Sequence, residues 1–420
     1  MIAFAGMALP VPLAAKTAYQ QAVEAGYGAW LEELKRDALS RGISGETFDT
    51  AMKGVRPDWS LPDLDPPELG AGQPERPKAV ATAHTRQQPE FDKPANYFPA
   101  KSISHLAVEG RKLLGEHASA LEKIEKDYGV DKTVVLAIWG RETGFGRVKI
   151  PHDAVRALAT QAFIGRRKEM FREELFQALL VLQDGHIGRG RMVSSWAGAM
   201  GHTQFLPSDY RKYGVDFDGD GRKDIWGTVE DALASTANSL KQNGWEAGKT
   251  WGYEVRLPKD FDCTLEGPQD ARPVADWLKS GVTRTHDRTF KDSQLADVAY
   301  LVVPAGLKGP AFLVLRSNFQ AIRAYNTADL YALYVGHVAD RIYGEKEFEG
   351  RWARIASFTR GEVRQMQEHL HAQGVDVGKI DGLMGGKTRR GVGLLQKQLK
   401  LPVTCYPDRE LLARIRQTGN

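Results

Sequence analysis

At 420 residues, with 42% hydrophobic and 26% charged side chains, the chain is long enough to bury a full core in two or three domains, which excludes disorder as its main state. No run of 18 or more apolar residues occurs, so no segment reads as a membrane-spanning helix. The net charge of +4 is unevenly placed: residues 357–420 hold 11 Lys/Arg against 6 Asp/Glu, leaving 46 against 47 elsewhere, so the tail suits an anionic polymer. That tail lacks the interleaved aromatics of a nucleic-acid surface, and nucleic acid is not expected as a partner.

In chain order, residues 1–15 are apolar and rich in small side chains, with no charge before Lys16, and read as the remnant of an export signal that lacks its basic start. The expected location is therefore the periplasm, as a soluble protein. Residues 16–60 form a helical part: Trp30, Leu31, Leu34 and Ala38 share a helical face, Gly42 interrupts it, and a second stretch surrounds Phe48 and Met52. Residues 61–95 carry seven prolines (62, 66, 67, 74, 77, 89 and 94), so they predict an extended, partly mobile connector. A main domain over 96–350 is predicted to be helical at 106–128, 131–141 and 168–183, with a β-rich insertion at about 253–316 and helix again over 328–342. A hinge at 351–358 leads to a tail domain at 357–416 with three amphipathic helices. The fold class is α+β, mainly helical, with a small inserted sheet and a C-terminal three-helix module. Cys263 and Cys405 fall in different domains and imply neither a disulfide framework nor a metal cluster.

The segment 130–146, VDKTVVLAIWGRETGFG, predicts a helix capped by Asp131 and apolar nearly all round, hence buried. Glu142 sits at its C-terminal end beside Trp139 and Phe145, with Gly144 and Gly146 able to end the helix in left-handed conformations. Apolar walls and the negative end of the helix dipole both disfavour its carboxylate, so Glu142 should keep its proton near neutral pH. A protonated carboxyl is what a glycosidic leaving oxygen requires. The plainer alternative is a surface carboxylate paired with Arg141 or Arg147.

Within that segment, WGRETGFG resembles the catalytic-glutamate signature of the membrane-bound lytic transglycosylase B type, glycoside hydrolase family 103. Residues 158–175 (LATQAFIGRRKEMFREEL) and 194–210 (SSWAGAMGHTQFLPSDY) resemble two further core motifs of that family, in order. The resemblance implies a lysozyme-like fold in which Glu142 alone protonates the oxygen between N-acetylmuramic acid and N-acetylglucosamine, then takes the muramyl C6 hydroxyl proton to close a 1,6-anhydro ring. It implies no catalytic cofactor, peptidoglycan glycan strands as substrate, and proteins of cell-wall synthesis or division as further partners. It assigns Ser195 and Gln204 to hydrogen bonds around the reacting sugar, Tyr325, Asn326 and Tyr331 to the groove wall, Arg166 and Arg167 to the wall peptide or lactyl carboxylate, and Tyr97 to an aromatic near the site. Ser239 stands where related sequences often carry Tyr, removing one sugar contact. A hydrolase needs a second carboxylate; Glu169, Glu173, Glu174 and Asp184 are candidates whose plainer role is a solvated helix face. A muramidase-type hydrolase and a non-catalytic wall-binding protein are the alternative functions.

Asp216, Asp218, Asp220, Gly221, Arg222 and Asp224 reproduce positions 1, 3, 5, 6, 7 and 9 of an EF-hand loop, which favours calcium. Position 12 is Gly227, so a longer loop closed by Asp231, or less readily by Glu230, must supply the last carboxylate. The ion's role is structural. In the tail, Ile380, Asp381, Gly382, Gly385, Thr388, Leu395 and Gln396 resemble the pattern of the peptidoglycan-binding type 1 domain. His369 and His371, two apart, fall off one helical face and do not read as a zinc site.

Overall fold

A computed structural model describes residues 16–76, 89–91 and 93–418; the expected signal remnant at 1–15 lies outside the described residues. The chain is mainly helical with a small sheet and a helical C-terminal module, as the sequence implies. Its helical body has two cores. One gathers Lys132–Thr143, Asp329–Tyr343 and Ala100–Glu116 around Leu136, Ile138 and Val335. The other gathers Ala154–Ile164 and Lys168–Gln183 around Leu158, Phe171 and Phe176 and takes in the N-terminal helices. Each fully buried aliphatic or aromatic side chain contributes about 1.5–3 kcal/mol, and the seam between the cores is left for function.

The N-terminal part divides once more than the sequence suggests, into Ala18–Glu24, Tyr27–Ser40 and Gly45–Met52. Similarly, 106–128 is two helices, Ala100–Glu116 and Ala118–Tyr128, because His117 leaves helical geometry at φ −107°, ψ 23°. The first described part of the connector, residues 61–76, makes several contacts with the body. It is irregular yet pinned: Leu61 and Leu64 are buried, the Asp65 N–H donates to the Ile164 carbonyl at 2.7 Å, and Gln161 donates to the Pro62 carbonyl at 2.8 Å.

The insertion is a five-stranded antiparallel sheet in the order Arg272–Pro273, Val298–Val302, Ala311–Leu315, Gly252–Arg256, Thr283–Arg284. Ala311–Leu315 is buried on both faces, which is why it reads as an uninterrupted apolar run rather than an alternating one.

The tail holds the three expected helices, Arg360–Ala372, Gly386–Gln398 and Arg409–Thr418. Its motif residues are internal fasteners: Gln367 donates to Asp381 and Thr388, each at 3.2 Å, and Gln396 accepts the N–H groups of Thr404 and Cys405 at 2.9 and 3.0 Å. Residues 351–358 lack regular structure, but they do not act as a free hinge, because the module is bolted to the sheet subdomain. Cys263 and Cys405 form a disulfide across 142 residues, correcting the expectation that these cysteines imply no disulfide. Wide separation hid the pair from sequence reasoning. Beside it, the buried Arg389 guanidinium donates to Glu266 at 2.5 Å, while Arg390 pairs with Asp270 at 2.8 Å and Lys397 with Asp262 at 2.7 Å.

Candidate active site

Glu142 is the penultimate residue of Lys132–Thr143, a helix capped by Asp131, whose side chain accepts the Thr133 N–H at 2.7 Å. Every residue from Thr133 to Gly140 is buried, so the helix is a rigid post through the first core. It ends at Gly144, φ 56°, and the left-handed path continues through Phe145 at φ 61°. That turn folds the Phe145 ring back onto Gly140, where a Cβ would lie 2.7 Å from the ring tip, and sets it edge-on to Trp139 at 5.4 Å. A non-glycine residue held at positive φ marks strain concentrated beside the carboxyl.

Glu142 is partly exposed as a residue, but its carboxyl is heavily desolvated, and its pKa is pushed up from 4.5 to about 7, chiefly by burial. Two effects oppose that rise, the hydrogen bond from Tyr331 and the nearby charge of Arg141; the charge of Glu90 adds to it. Among the described residues its one hydrogen bond comes from the Tyr331 hydroxyl at 2.5 Å. The alternative of a surface ion pair is not what the structure holds. Arg147 pairs with Glu109, and Arg141 is clamped between the rings of Tyr97 and Tyr334 at 4.7 and 4.8 Å, donating to the Tyr97 hydroxyl at 2.6 Å.

Several of the other expected residues converge on this carboxyl in a chain of contacts. The Tyr331 ring lies parallel to Tyr325 at 6.5 Å, and the Tyr325 hydroxyl donates to the Thr203 carbonyl at 2.7 Å, next to Gln204. Tyr325 packs on both hydrophobic cores, so the site occupies their seam. From the other side, Trp139 donates through Nε1 to His202 Nδ1 at 2.9 Å, tying the same loop to the Glu142 helix.

Loop 194–205 is tightly built. Ser195 Oγ accepts the N–H groups of Ala197 and Ala199 at 3.3 and 3.2 Å, and Gln204, at φ 53°, donates its amide to the Gly201 carbonyl at 2.9 Å. At Gly201 a Cβ would sit 2.5 Å from the Ile225 carbonyl oxygen, so no larger residue fits without moving the loop. Met200 and Phe205 pack inward, whereas Trp196, Ser195 and Gln204 stay partly exposed. Asn326 ends the helix Arg316–Tyr325, its side-chain oxygen accepting the Ala328 N–H at 3.1 Å.

Tyr97 and Tyr331 are 6% and 2% exposed; the Tyr97 hydroxyl accepts from Arg141 and the Tyr331 hydroxyl donates to the acid. Arg166 and Arg167 are exposed and turn to Asp63 of the connector, at 2.8 and 3.6 Å. Ser239 is buried inside its helix. None of the candidate second carboxylates binds Glu142: Glu169 is exposed, Glu173 pairs with Arg41 at 2.7 Å, Asp184 with Arg211 at 3.5 Å, and Glu174 is buried, accepting from Ser208. Sequence reasoning missed Glu90, which approaches from the far end of the connector, 3.9 Å from Arg141, and also accepts from the Tyr97 hydroxyl at 3.4 Å. Its approach to Arg141 is a contact across 51 positions, which no local pattern encodes.

In the metal-like loop, carboxylates of Asp216, Asp218 and the buried Asp231 converge to within 4.8 Å of one another. Asp220 stands outside that trio and accepts the Arg222 N–H at 2.8 Å, while Glu230 faces His117 at 3.2 Å.

A helical body with one desolvated glutamate at its inner seam, carrying a small sheet and a fastened helical module, is the architecture of a lysozyme-like transglycosylase, and the chain belongs to that family: residues 26–340 match the transglycosylase SLT domain. Residues 359–415 match the peptidoglycan binding domain. The chain is 41% identical over 233 residues to membrane-bound lytic murein transglycosylase B of Escherichia coli K12, covering 54% of this chain and 61% of that protein. It is similar in structure to SltB3 from Pseudomonas aeruginosa solved with NAG-NAM-pentapeptide (TM-score 0.81, 37% identity, 93% of this chain and 99% of that one). Similarity extends to SltB1 from the same organism (TM-score 0.59, 26% identity, 74% of this chain and 98% of that one).

Proposed function

We propose that this chain is a lytic transglycosylase cleaving the β-1,4 bond between N-acetylmuramic acid and N-acetylglucosamine in peptidoglycan, with Glu142 as its single acid and base. The observation that carries this reading is the Glu142 carboxyl, held by one hydrogen bond from Tyr331 and raised to a pKa of about 7, so that it both gives and takes a proton near neutrality. The protonated carboxyl passes its proton to the glycosidic oxygen as the C1–O bond breaks. The resulting carboxylate takes the proton of the muramyl C6 hydroxyl, whose oxygen closes on C1. The acid is restored and no water is consumed. Glu90 does not serve as a second catalytic carboxylate, because Arg141 and Tyr97 already engage it.

Ser195, Gln204, Tyr325 and Asn326 line the groove around the reacting sugar, with Tyr331 positioning the acid and Tyr97 positioning Arg141. Arg166 and Arg167 form an outer anionic contact once released from Asp63. Borohydride-resistant anhydro ends from purified sacculi are the expected product; reducible muramyl ends instead would assign a hydrolase. Removing the Tyr331 hydroxyl, which stabilises the charged form, raises the Glu142 pKa further. In Tyr331→Phe the alkaline limb of the kcat profile therefore moves up by about one pH unit, and an unmoved limb contradicts the role given to Tyr331.

Asp216, Asp218 and Asp231 fit a calcium ion. Their oxygens come from two chain segments, and burial, with a smaller repulsion from Asp218 and Asp216 that a cation would relieve, raises the Asp231 pKa. Bound there, the ion stiffens the loop behind the groove. Chelation is expected to lower the melting temperature by a few degrees, as binding worth about 2–3 kcal/mol requires, and Asp231→Asn is expected to remove the calcium response. The disulfide supports an exported, periplasmic protein, since such bonds persist in oxidising compartments. No helix among the described residues is long and apolar enough to cross a membrane.

A further inference from the structure

A cavity of about 1020 Å³ opens away from Glu142. Its wall includes Asp131, Thr133 and Val134, at the start of the helix whose last turn carries the acid, so it lies roughly 14 Å back along that helix at 1.5 Å per residue. The sheet subdomain and the end of helix Asp329–Tyr343 close the other sides.

Seven carboxylates and five Lys/Arg side chains line it, and they differ in how far they are matched within the protein. The acids are engaged: Glu254 accepts the N–H groups of Glu349 and Gly350 at 2.9 and 2.8 Å, Asp287 pairs with Arg256 at 3.0 Å, Glu345 with Arg288 at 2.6 Å, Glu125 with Lys132 at 2.8 Å and Glu347 with Arg341 at 3.6 Å, and Asp131 caps its helix at 2.7 Å. Asp340 receives the Trp251 indole at 3.2 Å and is pushed by burial to a pKa of about 7, so much of its charge is absent at neutrality. By contrast, Arg284, Lys291 and Lys346 line the cavity with no carboxylate partner among the described residues. Arg284 is the best placed. Its guanidinium lies over Tyr253 and Phe290 at 4.8 and 5.4 Å, and its one hydrogen bond is a long 3.4 Å contact to the Thr289 carbonyl. Stacking fixes the planar fork and leaves its donors for a ligand. Burial lowers the Arg284 pKa and the charge of Arg288 lowers it further, while Tyr253, Glu345 and Asp340 oppose the fall.

We propose that this cavity is a second ligand site that takes the carboxylate-bearing stem peptide of peptidoglycan through Arg284, apart from the groove at Glu142. A guanidinium fork matches a carboxylate in two parallel hydrogen bonds, and the volume accommodates a short peptide. The site lets the enzyme hold one strand's peptide at the back of the catalytic helix while another strand occupies the groove. It rests on the proposed function for the identity of the ligand alone.

The test is calorimetric titration of the full-length Glu142→Gln chain with a synthetic stem pentapeptide, against the same peptide with its carboxyls amidated. Saturable binding is expected, at least about tenfold weaker for the amidated peptide and in Arg284→Gln. Lys291→Gln, a surface change that leaves the fold intact, is expected to weaken binding by a smaller factor. Absence of saturable binding overturns the proposal, as does an affinity indifferent to Arg284→Gln and to amidation, or displacement of the peptide by millimolar inorganic phosphate. Binding of the peptide through Arg284 together with a wild-type chain that makes no anhydro product would sink the transglycosylase reading and leave this one standing; an active wild-type chain with no such binding in Glu142→Gln sinks this one alone.

Discussion

Glu142→Gln is expected to abolish anhydromuropeptide release, lowering turnover by at least about 10³-fold, because general acid–base catalysis contributes roughly 10²–10⁴ per proton transfer and one side chain performs both transfers. The amide keeps the shape and can still meet the Tyr331 hydroxyl, so the loss reports chemistry and not collapse of the seam. A second consequence separates this account from a merely structural carboxyl. The folded pKa of about 7 exceeds the unfolded value of 4.5, so the folded state holds the proton that the unfolded state has released. Stability due to this group is intact below pH 4.5 and is lost as the pH rises through 7, a cost of about 3 kcal/mol above that point. The inactive variant should therefore be more stable than wild type at pH 8 and indistinguishable from it at pH 4. Thermal melts at the two pH values check this; equal stability at pH 8 contradicts the desolvated acid.

Arg389→Met carries the second large expected effect, a loss of about 3–5 kcal/mol, because it strands a buried carboxylate. Arg389 and Glu266 are 5% and 1% exposed at their side chains, joined at 2.5, 3.1 and 3.2 Å. The arginine also donates to the Met384 carbonyl at 3.1 Å, and Glu266 accepts the Val303 N–H at 3.1 Å, so each partner is fixed by its own domain before they meet. The disulfide keeps the module tethered, so the damage appears as a lowered unfolding midpoint and not as release of the tail. Glu266→Leu in the same chain removes the stranded charge, and the double variant is expected to recover most of the loss. A single variant as stable as wild type would mean that the pair contributes nothing to docking.

The order in which the molecule became legible follows the range of each interaction. Helix Lys132–Thr143 declares itself locally: a cap at Asp131, an apolar run, and a glycine where the chain turns left-handed. The same holds for Ala311–Leu315 and the tail helices, whose patterns are set by neighbours a few residues away. Glu142 was identifiable as an acid because its burial is written into the residues flanking it. Tyr331 was expected at the groove, but its role as the hydrogen-bond donor to Glu142 depends on two helices 189 residues apart meeting in one register. Glu90, the Cys263–Cys405 bond and the Arg389–Glu266 pair are likewise products of long-range packing, and polar residues at such junctions look like ordinary surface until their partners are known. Arg166 and Arg167 show the reverse: a motif match located them, while Asp63 from the pinned connector decides where they point in this structure.

The central claim is that one glutamate moves both protons and that water takes no part in the cleavage. Mass spectrometry of fragments released from purified sacculi digested in ¹⁸O-labelled water tests it most directly. The account predicts muramyl ends lighter by one water than a hydrolysis product and free of the label, and none above background with Glu142→Gln. Labelled, reducible muramyl ends made by the wild-type chain would contradict it.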